Sequence, residues 1–119
     1  MKSARLLVLG LLSALALAAP ASSSPDAAGR TTKVEVIMTD YAFALSKKTV
    51  RKGTVVFNVV NNGEVVHDFK IAGKKTPIYE AEQGGGLRVV FKKIGRYPYL
   101  CTIPGHVEIG MKGVLKVVK

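Results

Sequence analysis

The residues with the most distinctive chemistry lie in the last third of the chain. Cys101, the only cysteine, opens the run Cys101-Thr-Ile-Pro-Gly-His106-Val-Glu-Ile-Gly-Met111, a C-x4-H-x4-M pattern. The one other histidine is His67, in Val65-Val66-His67-Asp68-Phe69. A thiolate, two imidazoles and a thioether can therefore meet at one point. Two nitrogen donors, one thiolate and a weak, long axial sulfur make the ligand set of a blue-copper electron-transfer centre. Thiolate and thioether suit Cu(I), and imidazole also suits Cu(II), so one donor set serves both oxidation states. Singly, each residue has an ordinary reading: the cysteine as a small buried hydrophobe, the histidines as structural residues, the methionine as core. Their joint spacing around the only cysteine makes the metal site the stronger reading.

Composition narrows the field. A single cysteine excludes an intrachain disulfide framework and Cys-rich zinc or iron–sulfur sites. Two histidines exclude a multi-copper cluster built on many imidazoles. At 119 residues the chain holds one domain and has no room for a second, catalytic one. With the four donor residues committed to a metal, no titratable pair is left for acid–base work, so an enzyme is not expected. The formal net charge is +10, but the pairs Lys47/Lys48, Lys74/Lys75 and Lys92/Lys93 are scattered and carry no interleaved aromatic motif. Nucleic acid is therefore not the expected partner. An acidic protein or an anionic membrane surface fits the charge better.

The N-terminus has the three parts of an export signal. Lys2 and Arg5 are followed by an apolar run from Leu6 to Ala19 and by the small residues Ala19-Pro20-Ala21. That run of about 14 residues is shorter than the ~20 that a membrane-spanning helix needs. Residues 1–21 are thus expected to be a cleaved signal peptide and residues 22–31 a flexible lead-in. Residues 32–119 form the domain. Removing residues 1–21 takes away two cations and leaves a net charge of +8 on the mature chain.

The elements that must hold the donors are strands. Period-two alternation runs through Val34/Val36/Met38, Val55/Phe57/Val59, Leu87/Val89/Phe91, Tyr97/Tyr99/Cys101 and Val114–Val118. Turn signals separate the runs at Lys52-Gly53, Asn61-Asn62-Gly63, Ala72-Gly73, Gly84-Gly85-Gly86 and Ile94-Gly95. No mature segment keeps a helical period over three turns; Thr76–Gln83 reads as a loop or one helical turn. The prediction is an all-β fold, a Greek-key β-sandwich of about seven to eight strands.

Over roughly Thr32–Lys119 the sequence resembles the cupredoxins, the small blue copper proteins of plastocyanin, azurin and auracyanin type. The Cys-Thr-Ile-Pro-Gly-His run with Gly-Met-Lys-Gly, the Asn-Asn-Gly segment ahead of His67, and Tyr97-x-Tyr99-x-Cys101 carry the likeness. The resemblance implies one copper per chain, with His67, Cys101 and His106 as equatorial ligands and Met111 as the axial one. It implies a monomeric, periplasmic or extracellular electron carrier that meets redox partner proteins, for which the basic charge suggests an acidic docking face. An apolar collar of Ile103, Pro104, Val107 and Ile109 round His106, with Val65 and Val66 nearby, is the expected contact surface. A copper carrier or storage protein is the main alternative, and a metal-free interaction module a further one. Asp68 departs from the Asn that many cupredoxins place after the first histidine, and an ionised Asp can accept hydrogen bonds but not donate them.

Overall fold

The computed structural model describes residues 30–119; the expected signal peptide and most of the expected lead-in lie outside them. Nine strands follow in order: β1 (Thr31–Thr39), β2 (Ala42–Leu45), β3 (Thr49–Arg51), β4 (Gly53–Asn61), β5 (Lys70–Ile71), β6 (Lys74–Lys75), β7 (Gly84–Phe91), β8 (Gly95–Leu100) and β9 (Lys112–Val118). The alternating runs become the long strands. Val34, Val36 and Met38 of β1 face the core, as do Val55, Phe57 and Val59 of β4, because β-branched and aromatic side chains fill a pleated inner face well.

The strands form two sheets, one ordered β2-β1-β4-β7 and the other β3-β9-β8-β5-β6. β1 runs parallel to β4, and β3 parallel to β9, so the chain crosses between sheets rather than meandering within one. This is the expected all-β sandwich. The count exceeds the expected seven to eight because β2, β3, β5 and β6 are pieces of two to four residues, too short to show an alternation.

Two expectations about loops resolve differently. Thr76–Gln83 contains no helix; it crosses between the sheets and touches His67 through an isolated bridge with Tyr79. Gly84-Gly85-Gly86 is not a turn but the start of β7, paired with Val60, Val59 and Asn58. A Cβ on Gly84 would lie 2.2 Å from the Val59 carbonyl oxygen, and one on Gly85 would lie 2.6 Å from the Tyr79 hydroxyl. Gly84 and Gly85 therefore serve close approach within the sheet rather than a reversal, whereas Gly86 has open space beside it.

Polarity within the sandwich sets the site. β1, β4 and β8 run toward one end, and β7 and β9 run away from it. Aromatic residues brace that end from below. Phe69 packs on Phe57, Tyr99 and Phe43 with ring centroids 5.2, 5.6 and 5.5 Å away. Such pairs contribute about 0.5–1.5 kcal/mol each beyond buried area. Phe69 and Tyr99 each lie two residues from a donor, His67 and Cys101, so the same packing fixes both stems.

Candidate metal centre

His67 sits where the chain enters the second sheet, Cys101 just past the end of β8, and His106 and Met111 on the loop to β9. The structure brings three of the four together: the donor atoms of His67, Cys101 and His106 lie within 4.8 Å of one another. Nδ1 of His67 is 3.2 Å from Nδ1 of His106, which is 3.4 Å from Sγ of Cys101. His67 and Cys101 are fully buried, whereas His106 is partly exposed. Met111 is fully buried at the base of the same loop. Its carbonyl accepts the Cys101 N–H at 3.2 Å, and its own N–H reaches the His106 carbonyl at 3.0 Å.

The surrounding groups orient these donors. Asp40, in the β1–β2 turn, accepts the Nε2–H of His67 at 2.7 Å. That bond leaves Nδ1 as the free lone pair and points it into the site, as a carboxylate behind a metal-binding imidazole does. Asp40 is itself held by the backbone N–H groups of Glu64 at 2.9 Å and Val65 at 3.3 Å. The Glu64 bond and then His67 keep its carboxyl below the usual range. A Cβ on Gly63 would meet Asp40 Oδ1 at 2.3 Å, so this glycine makes room for the carboxylate. Tyr41 lies edge-on to both imidazoles, 4.9 Å from His106 and 5.9 Å from His67 between ring centroids.

Asn61, fully buried at the end of β4, ties the loops together. Its amide donates to the carbonyls of Val65 and Tyr79, each at 2.9 Å, and its oxygen accepts the Gly63 N–H at 2.9 Å. Asp68 proves suited to its place because Thr102 and Lys75 present donors to it, while its carboxylate also helps hold the nearby Cys101 thiol protonated. It accepts the Thr102 N–H at 2.6 Å and the Thr102 hydroxyl, and Lys75 Nζ lies 3.6 Å away. An acceptor-only side chain thus ties the His67 segment to the start of the ligand loop. Neither Asp40 nor Tyr41 carried a sequence signal; both follow His67 only in space.

Burial pushes the Cys101 thiol above its ordinary value, opposed by the backbone N–H groups of Asp68 and Ile103. Desolvation and the neighbouring His67 pull His106 down, which keeps it a neutral donor. The collar divides. Ile103 packs against the core and Val107 is half-buried, while Pro104, Ile109, Val65 and Val66 are exposed. The charge around it opposes the net charge. Asp40, Glu64, Asp68, Glu80, Glu82 and Glu108 all lie in segments 40–41, 62–69, 76–83 and 101–111, which contain no Lys or Arg.

One buried sulfur donor, a thiolate once metal displaces its proton, with two imidazole nitrogens facing inward, fits copper by softness and by charge. Residues 30–118 match the model of the copper-binding proteins of the plastocyanin/azurin family. The chain belongs to that family, is a cupredoxin, and has copper as its cofactor. Among its relatives, the copper-resistant cuproprotein CopI of Rubrivivax gelatinosus is 31% identical over 115 residues, covering 77% of this chain and 70% of CopI. The fold superposes on auracyanin A of Chloroflexus aurantiacus with a TM-score of 0.61 at 19% identity, over 74% of this chain and 99% of that one. For rusticyanin of Thiobacillus ferrooxidans the TM-score is 0.63 at 20% identity, over 76% and 79%.

Proposed function

We propose that this protein is an exported, monomeric carrier of single electrons and not an enzyme. His67, Cys101 and His106 would hold the copper, and Met111 would supply the weak axial thioether. The observation that carries this reading is the convergence of two imidazole nitrogens and one thiolate sulfur within 4.8 Å. Bound copper supplies a Cu(II)/Cu(I) couple. The chain's part is to hold its donors fixed through that change: Asp40 fixes the His67 ring, Asp68 the loop entry, and Phe69 and Tyr99 the stems. His106, partly exposed among Pro104, Ile109, Val65 and Val66, is the natural contact for a redox partner.

An acidic docking face on that partner would find its lysines beside the ligand end rather than on it, at Lys70, Lys75 and Lys112. Export is supported by the charged, apolar and small-residue order of residues 1–21. Among the described residues no helix is long and apolar enough to cross a membrane.

Copper-loaded protein should show intense thiolate-to-Cu(II) absorption at one copper per chain. Cys101→Ser should abolish the colour and leave the sandwich folded; an equally blue variant would refute the assignment. The CopI relative, a copper-resistant cuproprotein, favours a second reading, copper binding in resistance, with the protein carrying or storing the metal. Met38 is buried in β1 and both histidines are in the site, so among the described residues no further soft donor marks a transfer path. Loss of copper to an acceptor protein faster than electron exchange would favour that second reading.

A further inference from the structure

The end of the sandwich opposite the ligands has its own character. There β8 begins and β9 finishes, with Arg96 opposite Lys116 and Gly95 opposite Val117. Between them lies an apolar depression of about 520 Å³, with Ile94 and Val118 in its wall and Arg96, Lys116 and Lys119 around it. Ile94 is 54% exposed. Its turn is pinned by the Tyr97 hydroxyl, which donates to the Lys93 carbonyl at 2.7 Å, so the isoleucine is presented rather than left to fold back. Lys92 and Lys93 precede it in the chain. Arg51 pairs with Val118, and the Lys52 N–H bonds the Val118 carbonyl at 2.8 Å. The segments 51–53, 91–96 and 116–119 that build this end contain no acidic side chain.

We infer that this end docks on a bilayer surface bearing anionic phospholipids, with Ile94 entering the headgroup boundary and the ring of Lys and Arg meeting the phosphates. Binding of this kind combines buried apolar area with electrostatic attraction, and both are present in one patch. The same surface repels the opposite end, where the segments carrying the ligands and their neighbours hold six acidic residues and no Lys or Arg, the nearest lysines lying at their margins. The molecule is therefore oriented as well as attracted, with His106 facing away from the bilayer. β1 starts at the docking end, since Thr31 pairs with Thr54. The inference uses the export reading but not the electron-carrier one, and metal-free protein docks the same way.

The test is vesicle co-sedimentation of the exported protein, with and without copper. Vesicles of phosphatidylcholine alone are compared with vesicles that also contain phosphatidylglycerol. Binding is expected only to the mixed vesicles, and salt should weaken it as the Debye length falls below about 10 Å. Lys92→Glu with Lys93→Glu should lower partitioning by at least about 25-fold, roughly fivefold for each basic residue removed from the surface. Ile94→Ser should lower it at every salt concentration. Lys70→Glu with Lys112→Glu, the same change in net charge placed elsewhere, should leave most of the binding intact. Circular dichroism checks that each variant keeps its sheet signal, and single Lys→Gln changes replace any that does not. Equal binding to neutral vesicles, equal loss in the charge-matched control, or no binding to the mixed vesicles would each overturn the inference. In the last case an acidic protein would be the cover for this face.

Discussion

Replacing Asp40 by Asn tests the most specific feature of the site. The carboxylate accepts three hydrogen bonds, from His67 Nε2–H at 2.7 Å and from the N–H groups of Glu64 and Val65. An amide of the same shape has one acceptor oxygen. If that oxygen serves His67, an NH2 group faces the Glu64 N–H; if it serves Glu64, the imidazole loses its acceptor. Removing a carboxylate behind a metal-binding histidine typically costs 10–100-fold in metal affinity, about 1.4–2.7 kcal/mol. The loss should fall more on Cu(II), which gains more than Cu(I) from a nearby negative charge. Each tenfold difference between the two affinities moves a one-electron potential by about 59 mV. Asp40→Asn should therefore raise the reduction potential by several tens of millivolts and weaken Cu(II) binding while the protein stays folded. Voltammetry and a competition titration with a Cu(II) chelator measure the two effects separately. An unchanged potential together with unchanged affinity would show that the turn merely packs against His67. A lower potential would reverse the sign of the argument.

Other expectations follow from the same contacts. Gly63→Ala should produce a milder copy of the Asp40 change, because its Cβ needs the space that Oδ1 occupies; the potential of that variant checks it. Met111→Leu should keep copper and colour but raise the potential, since a weak axial donor tunes more than it holds; unchanged voltammetry would place the axial donor elsewhere. Copper uptake should strengthen with rising pH. The Cys101 thiol is held above its ordinary value, so the metal must displace its proton. Between the imidazole range and the thiol pKa the apparent affinity should gain about tenfold per pH unit, the slope of one released proton. His106, pulled down, is already neutral there and adds no second proton. Titrations at a series of pH values give the slope.

The C-x4-H-x4-M run and the strands around it were legible because both are local patterns. The inward face of β1 can be read from Val34, Val36 and Met38 alone. Asp40 could not be read this way. It lies 27 positions from His67, and only the pairing of β1 beside β4 brings its turn over the ligand. Asn61 was visible as part of a turn, but its amide joins Val65 and Tyr79 across a crossing whose path no local rule specifies. The three glycines at the start of β7 misled for a related reason. Glycine marks both a reversal and a close approach, and the neighbours that decide between them, Val59 for Gly84 and Tyr79 for Gly85, come from other parts of the fold. Asp68 was legible as a departure from the usual Asn. Its fit depends on three donors that assemble around it only in the folded chain.

The hydrogen bond between the Cys101 amide and the Met111 carbonyl has a broader meaning. It closes the ligand loop at its neck, one step beyond the Leu100–Lys112 pair of β8 and β9. Within the neck, the loop satisfies itself through His106 to Ile103, Gly110 to Val107 and Met111 to His106. It therefore behaves as an insert on a finished sandwich of strands. Insertions or deletions between Thr102 and Gly110 can alter the metal's donors and access without shifting the register of either strand. Heredity can then act on the two parts separately: the sandwich sets how long the molecule survives, and eleven residues at its tip, together with His67 and the Asp40 behind it, set what it does with the metal.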